Sequence, residues 1–251
     1  MQTILFFDLD ATLVQNKFSR KAIGPLIQQI ADASGESSDV VFKAFGDENW
    51  RRQQNDPDNV LTMDWDDILR TVAQQFDVTL DETVDARWTQ FANAEDVEIL
   101  DQAPVVLKLL QQSHRTLVIS TKGLMKYQLP VLEVTGLKAF FVDILTPDVT
   151  GYLKTSPDYF AKYKEHDALK IQIGDHYYDD VICAKHNGFK SIMRVPIDDL
   201  SVYDPFERPE LLSDFQEQIH TYPQDGTDIL PDAVVVSLQE LPDVIKRLEA
   251  D

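Results

Sequence analysis

Short apolar runs bounded by polar turns recur along the chain, at residues 4–7, 116–119, 170–173, 191–195 and 233–236. Runs of this length read as buried strands. Between most of them lie helical patterns, at 103–112 (APVVLKLLQQ), 126–135 and 179–187, the last followed by Gly188 as a stop signal. Strands that alternate with helices pair in parallel through right-handed crossovers, so the expected fold is α/β: a doubly wound, Rossmann-like parallel sheet.

One region breaks the alternation. Residues 18–94 give only helical signals, in SRKAIGPLIQQIADAS, SDVVFKAFGDENWRRQ, DWDDILRTVAQQF and LDETVDARWTQFANA, with start signals near Ser38, Asp64 and Asp81. The expected organisation is a discontinuous core, residues 1–16 and 96–251, with an all-helical cap domain over 17–95. Such an insert leaves after the first strand and returns before the second, which sets it over the strand carboxyl ends as a lid. A second irregular stretch, 197–231, is rich in Asp, Pro and aromatic residues, and a short helix is expected within it near 210–219.

Composition limits the partners. Of 251 residues, 43% are hydrophobic, enough for a substantial core, and 43 acidic against 23 basic residues leave a formal charge of −20. That charge repels a nucleic acid polymer or an anionic membrane. The single Cys183 excludes an intrachain disulfide and a cysteine-based zinc cluster. With no leader pattern and no run approaching a membrane span, a cytoplasmic protein without a membrane partner is expected, as monomer or homodimer.

In an open α/β sheet, ligands bind beyond the strand carboxyl ends, where strand order reverses. Past the first strand come Asp8 and Asp10; past 116–119 come Ser120, Thr121 and Lys122; past 170–173 come Gly174 and Asp175, with Asp179 and Asp180 shortly after. Each alone has an ordinary reading as a turn former or helix cap. Together they gather like charges at one sheet edge, which repel unless a cation holds them. Carboxylates without His or Cys suit Mg²⁺, a metal that usually accompanies phosphate. Lys154, in GYLKTSPDYF, is a candidate for neutralising a phosphoryl group.

At these stations the chain resembles the haloacid dehalogenase (HAD) superfamily, in its phosphatase-like branch with a helical C1-type cap. The first family motif matches Asp8-Leu9-Asp10-Ala11-Thr12, the second Thr121, the third Lys154 to Phe160, and the fourth Gly174-Asp175 with Asp180, for which Asp179 is a rival. The chain departs from the usual pattern at Ala11 for Gly, Lys122 for Asn and Thr155 for Pro.

The resemblance implies a Mg²⁺-dependent phosphatase acting on a small phosphorylated metabolite through an aspartyl-phosphate. Asp8 is then the nucleophile, and Asp10 the general acid and base, with its pKa raised by the neighbouring carboxylate. Thr121, Lys122 and Lys154 bind the substrate's phosphoryl group, and Asp8, Asp10 (through its carbonyl), Asp175 and Asp180 form the metal site. Asp10 favours phosphoryl transfer over dehalogenation, because a departing halide needs no acid. The alternatives are a phosphomutase of the β-phosphoglucomutase type, a haloacid dehalogenase, and, outside enzymes, a phospho-accepting receiver-like module or a pseudoenzyme binding module.

Overall fold

The computed structural model describes residues 2–55, 59–111, 115–219, 221–223 and 229–250. The chain runs β1 (Thr3–Phe7), β2 (Val14–Asn16), α1 (Ser19–Ser34), α2 (Ser38–Asn55), α3 (Trp65–Gln75), α4 (Val84–Phe91) and β3 (Val97–Ile99). It continues through α5 (Ala103–Gln111), β4 (Arg115–Ser120), α6 (Met125–Val134), β5 (Asp143–Leu145), α7 (Pro147–Thr150) and α8 (Ala161–Lys164). Last come β6 (Leu169–Gly174), α9 (Cys183–His186), β7 (Lys190–Arg194), β8 (Ala233–Val235) and α10 (Leu241–Leu248).

Among the described residues the main sheet has the order β5-β4-β1-β6-β7-β8, and every neighbouring pair is parallel. Central β1 is buried along its whole length, TILFF. Side chains alternate across a strand, so Leu5 and Phe7 enter one apolar cluster while Ile4 and Phe6 enter another. On the second face the Phe6 ring stacks on Phe189 at 5.4 Å and meets Phe160 edge-on at 5.1 Å. The order reverses about β1, whose Phe7 pairs with Ile119 of β4 and Ile173 of β6. A ligand crevice therefore belongs at the ends of these three strands.

The helical stretch forms α1 to α4 between two short strands, β2 and β3, which pair antiparallel as a ribbon with Val14 opposite Ile99 and Asn16 opposite Val97. Its helices lean on α6. The Trp65 ring stacks on Tyr127 at 4.7 Å, and the Trp88 indole donates to the Tyr127 carbonyl at 2.8 Å. Lys126 reaches Asp64 at 2.7 Å and Asp66 at 2.9 Å.

Several local expectations are corrected. Strands β2, β3 and β5 have three residues each, too short to show periodicity. Asp64 caps α3 as expected, but Thr83 rather than Asp81 caps α4, through its hydroxyl and the Ala86 N–H. Ser38 starts α2 yet donates its hydroxyl to Gln28, while Ser37 accepts from the Val40 N–H.

The helix expected over 179–187 opens earlier, as a π-helical turn over Tyr177–Ile182, before α9. Gly188 ends it at φ 70°. In place of an α-helix near 210–219 there is a 3₁₀ stretch, Arg208–Phe215. Buried Arg208, at its start, is held by the carbonyls of Leu200, Tyr203 and Val234 and by an ion pair with Glu240. Residues 220 and 224–228 of this excursion, and Gln112 of the helix expected over 103–112, lie outside the described residues. Among the described residues no helix is long and apolar enough to cross a membrane.

Candidate active site

Asp8 follows the last residue of β1, and its N–H donates to the Ile173 carbonyl at 2.8 Å, so the ladder to β6 runs up to the carboxylate itself. Asp175 follows β6, and Asp180 stands in the π-helical turn beyond it. Single π turns occur often at functional sites. Each of Asp8, Asp175 and Asp180 offers a carboxylate oxygen, and these three atoms lie within 4.8 Å of one another.

Lys154 is wedged into this cluster, 2.9 Å from Asp8 and 2.6 Å from Asp180, with its side chain only 1% exposed. Asp180 is fixed from every side. Its carboxylate accepts from Gln172 Nε2 at 2.8 Å and from the His176 N–H at 2.9 Å, and Gln172 in turn accepts from Ser120 Oγ at 2.8 Å. Gly174 makes room for it, because a Cβ there would stand 2.1 Å from the Asp180 carboxylate. Thr12 Oγ lies 3.5 Å from Asp8 and 3.3 Å from Asp175 and can donate to one of them at a time.

Burial sets the charges. It pushes the Asp8 carboxyl well above the usual range; Lys154 opposes the rise and the Asp180 and Asp175 charges add to it. Asp175 is pushed up to about 6, by burial first and then by Asp180. Burial alone would lower the Lys154 ammonium, but Asp180 and Asp8 override it and hold the lysine cationic, well above its ordinary value. Asp10 is also raised, as expected, but by burial and not by a neighbouring carboxylate; the amide of Gln128, donating at 3.1 Å, works against the rise. Cys183 is buried with its thiol pushed up to about 12, which makes it unreactive.

The other residues singled out from sequence surround this centre. Thr121 is buried two positions past Ile119, the β4 partner of Phe7, and its carbonyl accepts from the Tyr159 hydroxyl at 2.9 Å. Lys122 pairs with Asp179 at 3.3 Å, and Asp179 also faces His176 at 3.5 Å, so it lies apart from the three-carboxylate cluster that contains Asp180. Gln53, Thr62 and Met63 of the helical segment join Lys122, Lys154, Thr155 and Asp179 around a cavity of about 140 Å³. Sequence reasoning missed Gln128, Gln172 and Arg194. Of these, Gln172 carries a signal, a polar residue inside the apolar β6 run LKIQIG.

The architecture has close counterparts among solved structures. A HAD phosphatase from Thermococcus onnurineus superposes with a TM-score of 0.68, at 20% identity over 98% of each chain. The fold is that of the haloacid dehalogenase superfamily. A 2-haloacid dehalogenase from Pseudomonas syringae pv. Tomato DC3000 shares the HAD fold at TM-score 0.63 and 21% identity, over 99% of this chain and 100% of that one. YfnB of Bacillus subtilis, solved bound to magnesium, matches at TM-score 0.60 and 17% identity, over 97% of this chain and 98% of that one. No protein-family model and no curated protein matches the sequence.

The oxygen-only donor set of Asp8, Asp175 and Asp180 fits a hard cation such as Mg²⁺. Burial and mutual repulsion raise Asp8 and Asp175, so a cation held here would favour their ionised forms.

Proposed function

We propose that the protein is a Mg²⁺-dependent phosphomonoesterase acting on a small phosphorylated metabolite, with residues 17–95 as a cap over the site. The observation that supports this reading most is the wedge of Lys154 between Asp8 and Asp180, beside Asp175 and two residues from Asp10. Asp8, Asp175 and Asp180, with the Asp10 carbonyl, would hold the cation. When bound, it would keep Asp8 ionised and neutralise charge on the phosphoryl oxygens.

The Asp8 carboxylate attacks phosphorus as the bond to the leaving oxygen breaks, and Asp10 gives its proton to that oxygen. Asp10 then takes a proton from water, which attacks the phosphorus and frees Asp8. Burial favours the protonated Asp10 that the first step needs. Lys154, Thr121 and Lys122 bind the transferring group, and positioning supplies most of the rate.

The solved dehalogenases of the same fold favour a second reading, carbon–halogen hydrolysis at Asp8. Asp10 and the three-carboxylate cluster weigh against it, since a departing halide needs neither an acid nor a cation. The test is a panel of phosphorylated metabolites and 2-haloacids, with Mg²⁺ and with chelator, on wild type and Asp8→Asn. Mg²⁺-dependent phosphate release lost in Asp8→Asn is expected. Chloride release without phosphate release would replace this reading with the second.

A further inference from the structure

The chain passes between the sheet and the helical segment twice, and both passages contain left-handed residues that are not glycine. Ala11 (φ 56°) lies between β1 and β2; Asp101 (φ 46°) and Gln102 (φ 56°) lie between β3 and α5. A Cβ makes this conformation unfavourable by about tenfold in population per residue. It persists only where the surroundings enforce it. Among the described residues the one other case is Asp77 (φ 56°), after the end of α3.

Both passages converge on one side chain. Arg194, the last residue of β7, is 7% exposed. Its Nη1 donates to the Ala11 carbonyl at 3.0 Å, while Nε and Nη2 reach Asp101 Oδ2 at 3.0 and 2.9 Å. The same carboxylate oxygen accepts from the Leu238 N–H at 3.1 Å. Between the two passages the ribbon of β2 and β3 closes, with the Leu100 N–H on the Leu13 carbonyl at 2.9 Å. One guanidinium therefore grips both roots of the ribbon that carries the helical segment. A lysine could not span both partners.

We infer that Arg194 is a positioning residue: it locks the left-handed turn at Ala11 and the re-entry at Asp101, and thereby fixes Asp10, which immediately precedes Ala11, and the base of the helical segment. Ala11 is the reason the lock is needed. Glycine would adopt the turn unaided, whereas at alanine the Cβ penalty is opposed by the Ala11 N–H donating to the Val14 carbonyl at 2.8 Å and by the Arg194 grip on the Ala11 carbonyl. The effect on turnover rests on the proposed role of Asp10 as acid and base; the locking of the turns does not.

The test compares wild type, Ala11→Gly, Arg194→Met and the double variant for kcat and KM on an active phosphomonoester and for the urea midpoint. Arg194→Met is expected to lower kcat by ten- to a hundredfold, on the order of a small misplacement of a catalytic group, with little change in KM. Adding Ala11→Gly is expected to restore about tenfold of that loss, and to be nearly silent in the wild-type background. Should Arg194→Met not fold, Arg194→Lys carries the same comparison. Additive effects of the two substitutions on kcat and urea midpoint would overturn the inference. If wild type hydrolyses no phosphomonoester, the proposed activity fails, and coupling in the urea midpoint alone supports or overturns the lock.

Discussion

Replacing Lys154 with Met removes the ammonium that stands 2.9 Å from Asp8 and 2.6 Å from Asp180. The side chain is 1% exposed, so water cannot replace it, and two buried carboxylates lose their counter-charge. Breaking a buried pair from one side costs about 3–5 kcal/mol. For a chain of this size that lowers Tm by roughly 6–20 °C. Magnesium ions would bring positive charge to the same carboxylates and recover a large part of the loss. On the proposed phosphatase reading, activity would stay down by at least about a hundredfold even with Mg²⁺, because the phosphoryl group would lose its fixed cation. Thermal unfolding in chelator and in Mg²⁺, alongside phosphate release, reads all three effects. Equal destabilisation with and without Mg²⁺ would refute the placement of a cation among Asp8, Asp175 and Asp180. Unchanged stability in chelator would refute the ion-pair argument itself.

Two further outcomes follow from the same geometry. Asp175, raised to about 6 in the folded protein, contributes stability at low pH that is lost as pH rises through about 6. In metal-free protein its share of that loss between pH 4 and 7 is about 3 kcal/mol, seen as the pH-dependent difference in unfolding free energy between wild type and Asp175→Asn; a pH-independent difference would contradict it. In Gly174→Ala the new Cβ would meet the Asp180 carboxylate at 2.1 Å, a group already held by Lys154, Gln172 and the His176 N–H. About 2–4 kcal/mol of stability should be lost, and a urea midpoint like that of wild type would show that Asp180 is free to move.

How far the sequence discloses this molecule depends on the range over which each feature is encoded. Strands β1, β4, β6, β7 and β8 are legible as apolar runs because a strand buried on both faces needs one. Asp8 and Asp175 are legible as acids gathered just past strand ends, and Lys154, in the loop beyond α7, through the motif from Lys154 to Phe160. Asp179 and Asp180 are not separable by sequence, since both are buried in the π-helical turn and only the chain path shows that Asp180 joins Asp8 and Asp175. Gln128 reads as the polar face of an amphipathic helix, and only the chain path brings it to Asp10, 118 positions away. Arg194 reads as the end of a strand, with Asp101 separated from it by 93 positions. The insert's helices are written locally in their periodicity; the ribbon that roots them depends on pairing across more than eighty residues.

The most direct test of the proposed activity is to quench the protein during incubation with a phosphomonoester and Mg²⁺ and find the phosphoryl group by peptide mass spectrometry. The expected result is an acid-stable, base-labile phosphoryl adduct on Asp8 that is missing in Asp8→Asn. Phosphate release at an unchanged rate from Asp8→Asn, or an adduct on any other residue, would contradict it.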